Sequence, residues 1–317
     1  MSKLVDVLVL GGGPAGLAVA GGLARQLHTA VVFSSGSFRN GGVEHMHNVP
    51  GWDHENPADF RAKTVADITS RYSTIQFRDV NVASVRKLES GRFEAVDDAG
   101  ERYEGRKVVI ASGIRDIMPD IPGYSQLWGK GIFHCLFCHG YEERGASSAG
   151  ILASGLLGNI MFTPAVSRMA SRLAGIVNVY TDDNEALGAE IRAALKSTKK
   201  FHVENCKIKS LAKDPDVQGE SGVLVTLEDG TVNKEGFVAH APDFELNGSF
   251  ATDLGVELAP QGHINALPPF FNTNVPGVYA AGDCATPFKA VPTATMMGSF
   301  VAAGLAHSLQ AEDDTEE

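Results

Sequence analysis

The stretch "LVDVLVLGGGPAGLAVAGGLARQL", residues 4–27, contains the pattern that decides the fold. A β-branched, leucine-rich run leads into glycines, and small and apolar residues at helical spacing follow. The stretch therefore predicts a strand, a tight turn and a helix. The next apolar run, "TAVVFSS" at 29–35, completes a βαβ unit. Gly11, Gly13 and Gly16 form G-x-G-x-x-G in this context, which is typical of a dinucleotide-binding site.

Each glycine of this loop has a physical reason. Gly11 allows the tight turn, Gly13 lets the backbone approach a pyrophosphate, and Gly16 lets helix and strand pack closely. The helix N-terminus then faces the phosphates. The usual ribose-binding acid is missing, because the second strand ends in Ser34 and Ser35. The loop alone does not distinguish FAD from NAD.

A second pattern is "FHCLFCHGYE", residues 133–142. Two histidines, His134 and His139, flank the cysteines Cys135 and Cys138. The pair is a redox disulfide, half of a zinc site, or part of a core. Zinc needs about four ligands and the other two cysteines of the chain are isolated, which disfavours a metal site. A turn with two histidines and a glycine is poorly suited to a core.

Composition sets the class of protein. At 317 residues, with 44% hydrophobic and 21% charged residues, the chain is typical of a globular protein of two domains. The net charge of −11 argues against nucleic acid or an anionic membrane as partner. Part of that charge lies at residues 311–317, which we expect to form a frayed tail. The sequence shows neither a signal peptide nor a transmembrane run, so we expect a cytoplasmic protein that binds small ligands.

A third set of motifs adds a family resemblance. "GVYAAGDCA" at 277–285 contains a Gly-Asp turn, and "ASG" lies at 111–113. Together with "GGGPAG" they resemble the FAD-dependent pyridine nucleotide–disulfide oxidoreductases, specifically the low-molecular-weight thioredoxin reductases. The resemblance implies an α/β fold of two three-layer Rossmann-like domains and a homodimer. The FAD domain is discontinuous, 1–116 with 244–317, and an inserted NAD(P)-binding-like domain at 117–243 carries the cysteine pair.

The resemblance also implies residue roles. Asp283 hydrogen-bonds the ribityl or pyrophosphate region of FAD, and a helix starting near Thr293 directs its amides at the flavin. Cys138 faces the flavin, and Cys135 exchanges with the substrate. The expected cofactor contacts are Gly11, Gly13, Pro14, Ala15, Gly16, Ser34, Asn48, Ala111, Gly113, Gly282, Asp283, Thr293 and Ala294.

His139 stands where the family has an acid that donates and accepts protons. A histidine takes a proton from a thiol near neutral pH more readily than a carboxylate does. His139 and His134 are therefore candidate catalytic residues, and the alternative for each is an exposed loop residue. Phe133 and Phe137, with the stretch 45–53, either line an aromatic substrate groove or are ordinary core residues.

The second glycine loop departs from the family. In "LASGLLGN", residues 152–159, Ala153 stands at the first glycine position, with Gly155 and Gly158 at the others. The next strand ends in "YTDDN", 180–184, without an arginine, and an acid there repels a 2′-phosphate. The departure argues against NADPH, although Asp182 offers an acceptor for the ribose of NADH.

The combination of an intact FAD loop, "CLFCHGYE" and a degraded second loop resembles the flavin-dependent dithiol oxidases of the gliotoxin and holomycin type. It implies that a small-molecule dithiol is oxidised to a disulfide, with dioxygen as acceptor and hydrogen peroxide as product, in making or resisting a disulfide natural product. The alternatives are an NADPH-dependent thioredoxin reductase and, more remotely, a non-enzymatic FAD-binding redox sensor. No metal is expected.

Overall fold

The computed structural model describes residues 4–196 and 199–316. The chain begins with β1 (Val5–Leu10), α1 (Pro14–Arg25), β2 (Ala30–Phe33), α2 (Pro57–Arg71), β3 (Ile75–Arg78), β4 (Val82–Lys87), β5 (Phe93–Asp97), β6 (Arg102–Ile110) and β7 (Ile114–Asp116). It continues with α3 (Tyr124–Leu127), β8 (Ile132–Phe133), α4 (Leu136–His139), β9 (Ala146–Leu152), α5 (Thr163–Ala170), β10 (Ala174–Tyr180), α6 (Glu185–Leu195), β11 (Phe201–Glu204), β12 (Ile208–Lys213), β13 (Val223–Leu227), β14 (Val232–Glu235) and β15 (Phe237–Ala239). The last elements are β16 (Phe244–Leu246), α7 (Phe250–Leu254), β17 (Val278–Ala280) and α8 (Val291–Glu316).

The chain divides into two compact units. The first contains the described residues up to His45, Val49–Arg115, and the described residues from Glu245 onward. The second contains Met46–Asn48 and Asp116–Phe244. Asp116 and Phe244 thus cluster with the second unit, whereas the expected boundaries assign both to the first.

The first unit is built on a mixed sheet in the order β3-β2-β1-β6-β5-β4, and β17 also pairs with β6. The strands β1, β2, β3, β6 and β17 pair in parallel, whereas β4, β5 and β6 pair antiparallel. Residues Val7, Leu8 and Val9 of β1 are fully buried. Such a continuous apolar run is typical of a parallel strand covered on both faces.

The second unit has a parallel sheet in the order β11-β10-β9-β15-β8. A separate antiparallel sheet of this unit contains β12, β13 and β14. The short strands β7 and β16, most of whose residues belong to the first unit, pair with each other. The helix α6 begins after Asn184, whose side chain accepts a hydrogen bond from the amide of Leu187 at 3.0 Å. This is a standard N-cap, and it explains why the strand-end sequence leads into a helix.

The acidic end of the chain differs from its prediction. The described part, up to residue 316, continues α8 and does not form a frayed tail. Arg106 pairs with Glu312 at 3.1 Å and with Asp313 at 2.8 Å, so the acids are held against the edge of β6. Glu317 lies outside the described residues. Among the described helices, none combines the length and the apolar character that crossing a bilayer requires.

Candidate active site

The first glycine loop is a tight turn between β1 and α1. Gly11 has φ +130°, and a Cβ there would lie 2.2 Å from the carbonyl oxygen of Ala111. A Cβ at Gly16 would lie 1.9 Å from the carbonyl oxygen of Gly11. No side chain fits either position. Gly11 therefore lets the loop lie close to the residue after β6, and Gly16 lets α1 lie close to the loop.

Gly13 is different, because a Cβ there would meet no protein atom within 4 Å. It is the N-cap of α1, and Pro14 starts the helix. In the described chain, the amides of Gly12, Gly13, Ala15 and Gly16 have no protein acceptor. Unpaired amides at a helix N-terminus beside open space suit an anionic group, so these residues fit the pyrophosphate of FAD.

Of the further residues expected to contact the cofactor, one borders this loop. Ser34 packs on it, since a Cβ at Gly12 would lie 2.7 Å from the Ser34 Cβ. Gly113, φ +71°, accepts a hydrogen bond from the amide of Asn247 at 3.2 Å. Asn48, with φ +60°, lies in the short segment that clusters with the second unit.

The Gly-Asp turn lies at the carboxyl end of β17. Asp283 starts a 3₁₀ turn, Asp283–Ala285, after Gly282 with φ +85°. Cys284 is fully buried, and burial raises the pKa of its thiol to about 12. It therefore stays protonated and takes no part in thiol exchange at neutral pH.

The long helix α8 begins at Val291, two residues before its expected start. Ala294 is buried, and its amide donates to the carbonyl of Ala290 at 2.9 Å. Thr293 is half-buried in the same first turn. Of these two, Thr293 therefore has the amide that stays available to a ligand.

The cysteine pair is a disulfide at the start of α4. Cys135 and Cys138 are bonded, their Cα atoms lie 5.2 Å apart, and both residues are half-buried. Cys135 is the N-cap, and its carbonyl accepts the amides of Cys138 and His139 at 3.1 Å each. The short helical turn thus holds the two sulfurs together and partly accessible.

His139 lies directly after the disulfide. Its half-buried ring stacks on Phe133, with centroids 5.3 Å apart and planes at 5°. The ring of His47 lies edge-on at 6.4 Å, and His47 Nε2 lies 3.7 Å from Glu142 Oε1. Burial and then His47 lower the pKa of His139 below its usual 6.5, while Glu142 acts in the opposite direction. The imidazole is therefore neutral at pH 7 and able to accept a proton.

The aromatic residues near the disulfide have different environments. Phe133 is 5% exposed and belongs to the core of the second unit, so it does not line a groove. Phe137, between the cysteines, is 71% exposed. His134 is exposed, and its ring lies 5.9 Å from that of Trp128. Tyr141, which the sequence reasoning did not single out, is also exposed, with the Arg144 guanidinium 4.1 Å from its ring centroid.

The second glycine loop has a different structure from the first. After β9 the chain forms a 3₁₀ turn, Gly155–Leu157, and α5 begins only at Thr163. Most of its amides are bonded within the protein: Leu156 to Ala241 O at 2.9 Å, Leu157 to Ser154 O at 3.1 Å, Gly158 to Gly155 O at 3.0 Å, Asn159 to Leu157 O at 2.8 Å, and Met161 and Phe162 to Asn159 Oδ1 at 3.0 Å each. Because those donors are occupied, the loop does not fit a dinucleotide pyrophosphate.

The strand end after β10 is also committed to the protein. Asp182 Oδ1 accepts the amide of Ile208 at 2.8 Å, with a left-handed backbone at φ +48°. The amide of Asp183, also left-handed at φ +71°, donates to the carbonyl of Asn205 at 2.8 Å. The Asp182 carboxylate thus binds the first backbone amide of β12. This contact accounts for an acid at position 182 without a bound ribose.

A buried chain of hydrogen bonds fixes the start of the second loop. Tyr124 Oη lies 2.7 Å from His240 Nδ1, and Ser154 Oγ lies 3.1 Å from His240 Nε2. Burial lowers the pKa of His240 to about 4, so the imidazole is neutral. The three residues are far apart in the sequence, and no local motif signals them. They hold the loop by its serine side chain.

Comparisons with known proteins show which family the chain resembles over most of its length. The family model "Pyridine nucleotide-disulphide oxidoreductase" matches residues 5–298. Thioredoxin reductase aclD of Aspergillus oryzae is 44% identical over 310 residues, 97% of each chain. Thioredoxin reductase tcpT of Claviceps purpurea is 41% identical over 298 residues, 94% of this chain and 92% of its own. The crystal structure of an oxidoreductase from Agrobacterium tumefaciens matches with a TM-score of 0.84 at 27% identity, over 97% of this chain and 99% of its own.

The chain therefore belongs to the pyridine nucleotide-disulphide oxidoreductase family. Within it, the protein is a thioredoxin reductase-like flavoprotein whose cofactor is FAD. The predicted fold class, α/β with two Rossmann-like domains, is confirmed.

Proposed function

We propose that this protein oxidises a small-molecule dithiol to an intramolecular disulfide through Cys135 and Cys138, with dioxygen as the final acceptor. One observation carries the proposal: the disulfide and the first glycine loop are complete, whereas most amides of the second loop are bonded within the protein. A reductase that draws on NADPH needs a phosphate site in the second unit. An oxidase that draws electrons from its substrate does not.

The chain's own residues account for the exchange steps. A substrate thiolate attacks Cys135 Sγ, which breaks the disulfide and releases Cys138 as a thiolate. The substrate's second thiolate then attacks the substrate sulfur of the mixed disulfide, closes the product disulfide and releases Cys135. Two electrons pass to the cysteine pair, and His139 accepts a proton from the attacking thiol.

The first unit supplies the cofactor site. The loop of Gly11, Gly13 and Gly16, with the first turn of α1, would hold the pyrophosphate of FAD. Asp283 and the start of α8 complete the site. The chemistry that bound FAD supplies is acceptance of two electrons and two protons from the reduced cysteine pair and their delivery to dioxygen as hydrogen peroxide. A homodimer stays a prediction of the family resemblance, and a cytoplasmic location stays a prediction from the sequence.

An NADPH-dependent thioredoxin reductase is the second candidate, because the relatives aclD and tcpT carry that name. Anaerobic mixing separates the two functions. The oxidised holoenzyme is mixed in parallel with NADPH, NADH and dithiothreitol, and flavin absorbance is followed in a stopped-flow instrument. We expect bleaching only with the dithiol, and full recovery of the yellow colour with peroxide release on admitting air.

The matched control is the same experiment with Cys206→Ser, which alters a cysteine outside the disulfide. We expect this variant to behave as wild type. Rapid bleaching by NADPH in either protein, followed by reduction of a thioredoxin disulfide, would contradict the oxidase proposal and establish the reductase. A flavin that responds to neither reductant would contradict both.

A further inference from the structure

The segment after β2 lacks the acid that usually binds a ribose in this fold. Ser34 and Ser35 end the strand region, and their hydroxyls accept the amides of Gly36 at 3.5 Å and Ser37 at 3.3 Å in local turns. The first charged side chain of the segment is Arg39. The first charged side chain after the strand is thus a cation, whereas the fold commonly presents an anion at the strand end.

Arg39 is held by a residue from the far end of the chain. Its Nη1 lies 3.4 Å from Asp283 Oδ2, across 244 positions of sequence. The two side chains are 18% and 21% exposed, so the pair is largely shielded from water. Such a pair is screened less than a surface ion pair, and it fixes the position of the guanidinium.

The pair lies beside the first glycine loop. A Cβ at Gly282 would lie 2.9 Å from the Ala15 Cβ, so the turn that carries Asp283 contacts the first turn of α1. A Cβ at Gly12 would meet Ser34, so the segment that carries Arg39 contacts the same loop from the side of β2. The residue before Asp283 and the start of the segment that leads to Arg39 therefore both contact the loop that carries the unpaired amides.

The Arg39 segment is anchored independently of the ion pair. The Arg61 guanidinium of α2 lies 3.9 Å from the Phe38 ring centroid, and its Nη1 donates to Asn40 Oδ1 at 3.1 Å. The residues on both sides of Arg39 are thus fixed by another arginine. Arg39 and both of its neighbours are therefore held in place by side chains of the first unit.

We propose that Arg39, positioned by Asp283, is a cationic contact for the pyrophosphate of FAD in the first unit. A lone carboxylate at Asp283 would repel the phosphates. Arg39 cancels that charge, and its planar guanidinium has several donors for phosphate oxygens. An arginine after this strand can also bind the 2′-phosphate of NADP, but FAD has no such group, so its pyrophosphate is the anion available. The inference concerns cofactor binding and is independent of the direction of the disulfide chemistry.

The test measures FAD release from holoenzyme. Wild type, Arg39→Gln and Arg39→Lys are diluted in steps at several salt concentrations, and free FAD is measured by its fluorescence after ultrafiltration. The control is Arg71→Gln, which removes an exposed arginine paired with Asp67 at 2.8 Å in the same unit. We expect the FAD Kd of Arg39→Gln to rise roughly tenfold or more with a weaker salt dependence. Arg39→Lys is expected between it and wild type, and Arg71→Gln unchanged.

Competition with ADP and with 2′-AMP distinguishes a pyrophosphate contact of Arg39 from a 2′-phosphate contact. ADP carries a pyrophosphate, and 2′-AMP carries only a 2′-phosphate. We expect ADP to displace FAD with an affinity that depends on Arg39, and 2′-AMP to be insensitive to it. Dependence of 2′-AMP in place of ADP would overturn the proposal.

A purely structural role would also overturn the proposal. It predicts that Arg39→Gln lowers the melting temperature in excess FAD and leaves the FAD Kd at its wild-type value. If Arg39→Gln does not fold, Arg39→Lys and the salt series on wild type decide, because an FAD Kd unchanged in both contradicts a phosphate contact.

Discussion

The two glycine loops of this protein begin alike and end differently. In the first, three residues separate the end of β1 at Leu10 from the start of α1 at Pro14. In the second, residues 153–162 separate β9 from α5. The first loop leaves amides unpaired at a helix N-terminus, and the second bonds most of its amides internally. A phosphate site thus depends on free donors close to a helix start, and glycine spacing alone does not produce one.

The same contrast accounts for the proposal that the second unit uses its disulfide without a working phosphate site of its own. The disulfide lies at the start of α4, after β8, and neither cysteine belongs to the degraded loop. The loop itself is fixed by Ser154 and His240, which are part of the unit's own packing. The altered loop and the intact disulfide turn therefore occur in the same unit.

The largest effect is expected when the disulfide is removed. Cys135→Ser prevents attack by the substrate, so dithiol oxidation is expected to fall to the rate without enzyme. Oxygen uptake with dithiothreitol measures it, and Cys206→Ser is the control with full activity expected. Appreciable uptake by Cys135→Ser would place the chemistry elsewhere.

His139→Gln tests the base beside the disulfide. We expect kcat/KM for a dithiol to fall by on the order of 10²-fold at pH 7.5, because general-base catalysis is lost. The pKa of His139 is lowered, so the neutral base is present above pH 6.5 and is protonated only further below. The wild-type advantage should therefore be constant above pH 6.5 and shrink in more acidic solution.

The control for this pH profile is His307→Gln, which alters an exposed histidine of α8. It should follow wild type at every pH. An unchanged ratio of wild type to His139→Gln down to pH 4 would mean that His139 is not the group that accepts the proton.

Gly13→Ala tests whether the first glycine loop binds FAD. A methyl group there meets no protein atom within 4 Å, so the protein should fold with an unchanged melting temperature in excess FAD. The methyl group would occupy the space above the free amides, and we expect the FAD Kd to rise about tenfold. Gly21→Ala, on the same helix, is the control, and its FAD Kd should stay at the wild-type value. Equal FAD affinity in both variants would place the cofactor elsewhere.

The smallest effect is expected in the second loop. Ser154→Ala removes the hydrogen bond to His240 and should destabilise the protein by about 1 kcal/mol. The dithiol rate and the FAD Kd should not change. Thermal unfolding and the two assays measure this, with the exposed Ser147→Ala as control. Bleaching of the flavin by NADPH in Ser154→Ala would show a working dinucleotide site that the serine keeps closed.

Patterns confined to one stretch of sequence were predictable. The strand, glycine turn and helix at the N-terminus depend on neighbouring residues, and the resulting fold class is confirmed. The cysteine pair, three positions apart, closes within one short turn and needs no distant partner. The degraded second loop was also visible, since Ala153 replaces a glycine.

Features that join distant residues were not predictable. Tyr124, Ser154 and His240 meet only through the fold, and so do Arg39 and Asp283. The fold also decided the roles of individual residues that the sequence left open. Phe133 is in the core because its ring packs among the buried residues of the second unit, with the ring centroid of Phe237 at 6.3 Å. The carboxylate of Asp182 is bound by a backbone amide.

We propose that electrons enter this protein from a dithiol substrate and leave it to dioxygen. The most direct test of this proposal measures, in one closed vessel without NADPH, the substrate disulfide formed, the dioxygen consumed and the hydrogen peroxide released. The account predicts equal molar amounts of all three, because each dithiol yields two electrons, and no change on adding NADPH. Disulfide formation without dioxygen uptake, or NADPH oxidation coupled to reduction of a disulfide, would contradict it.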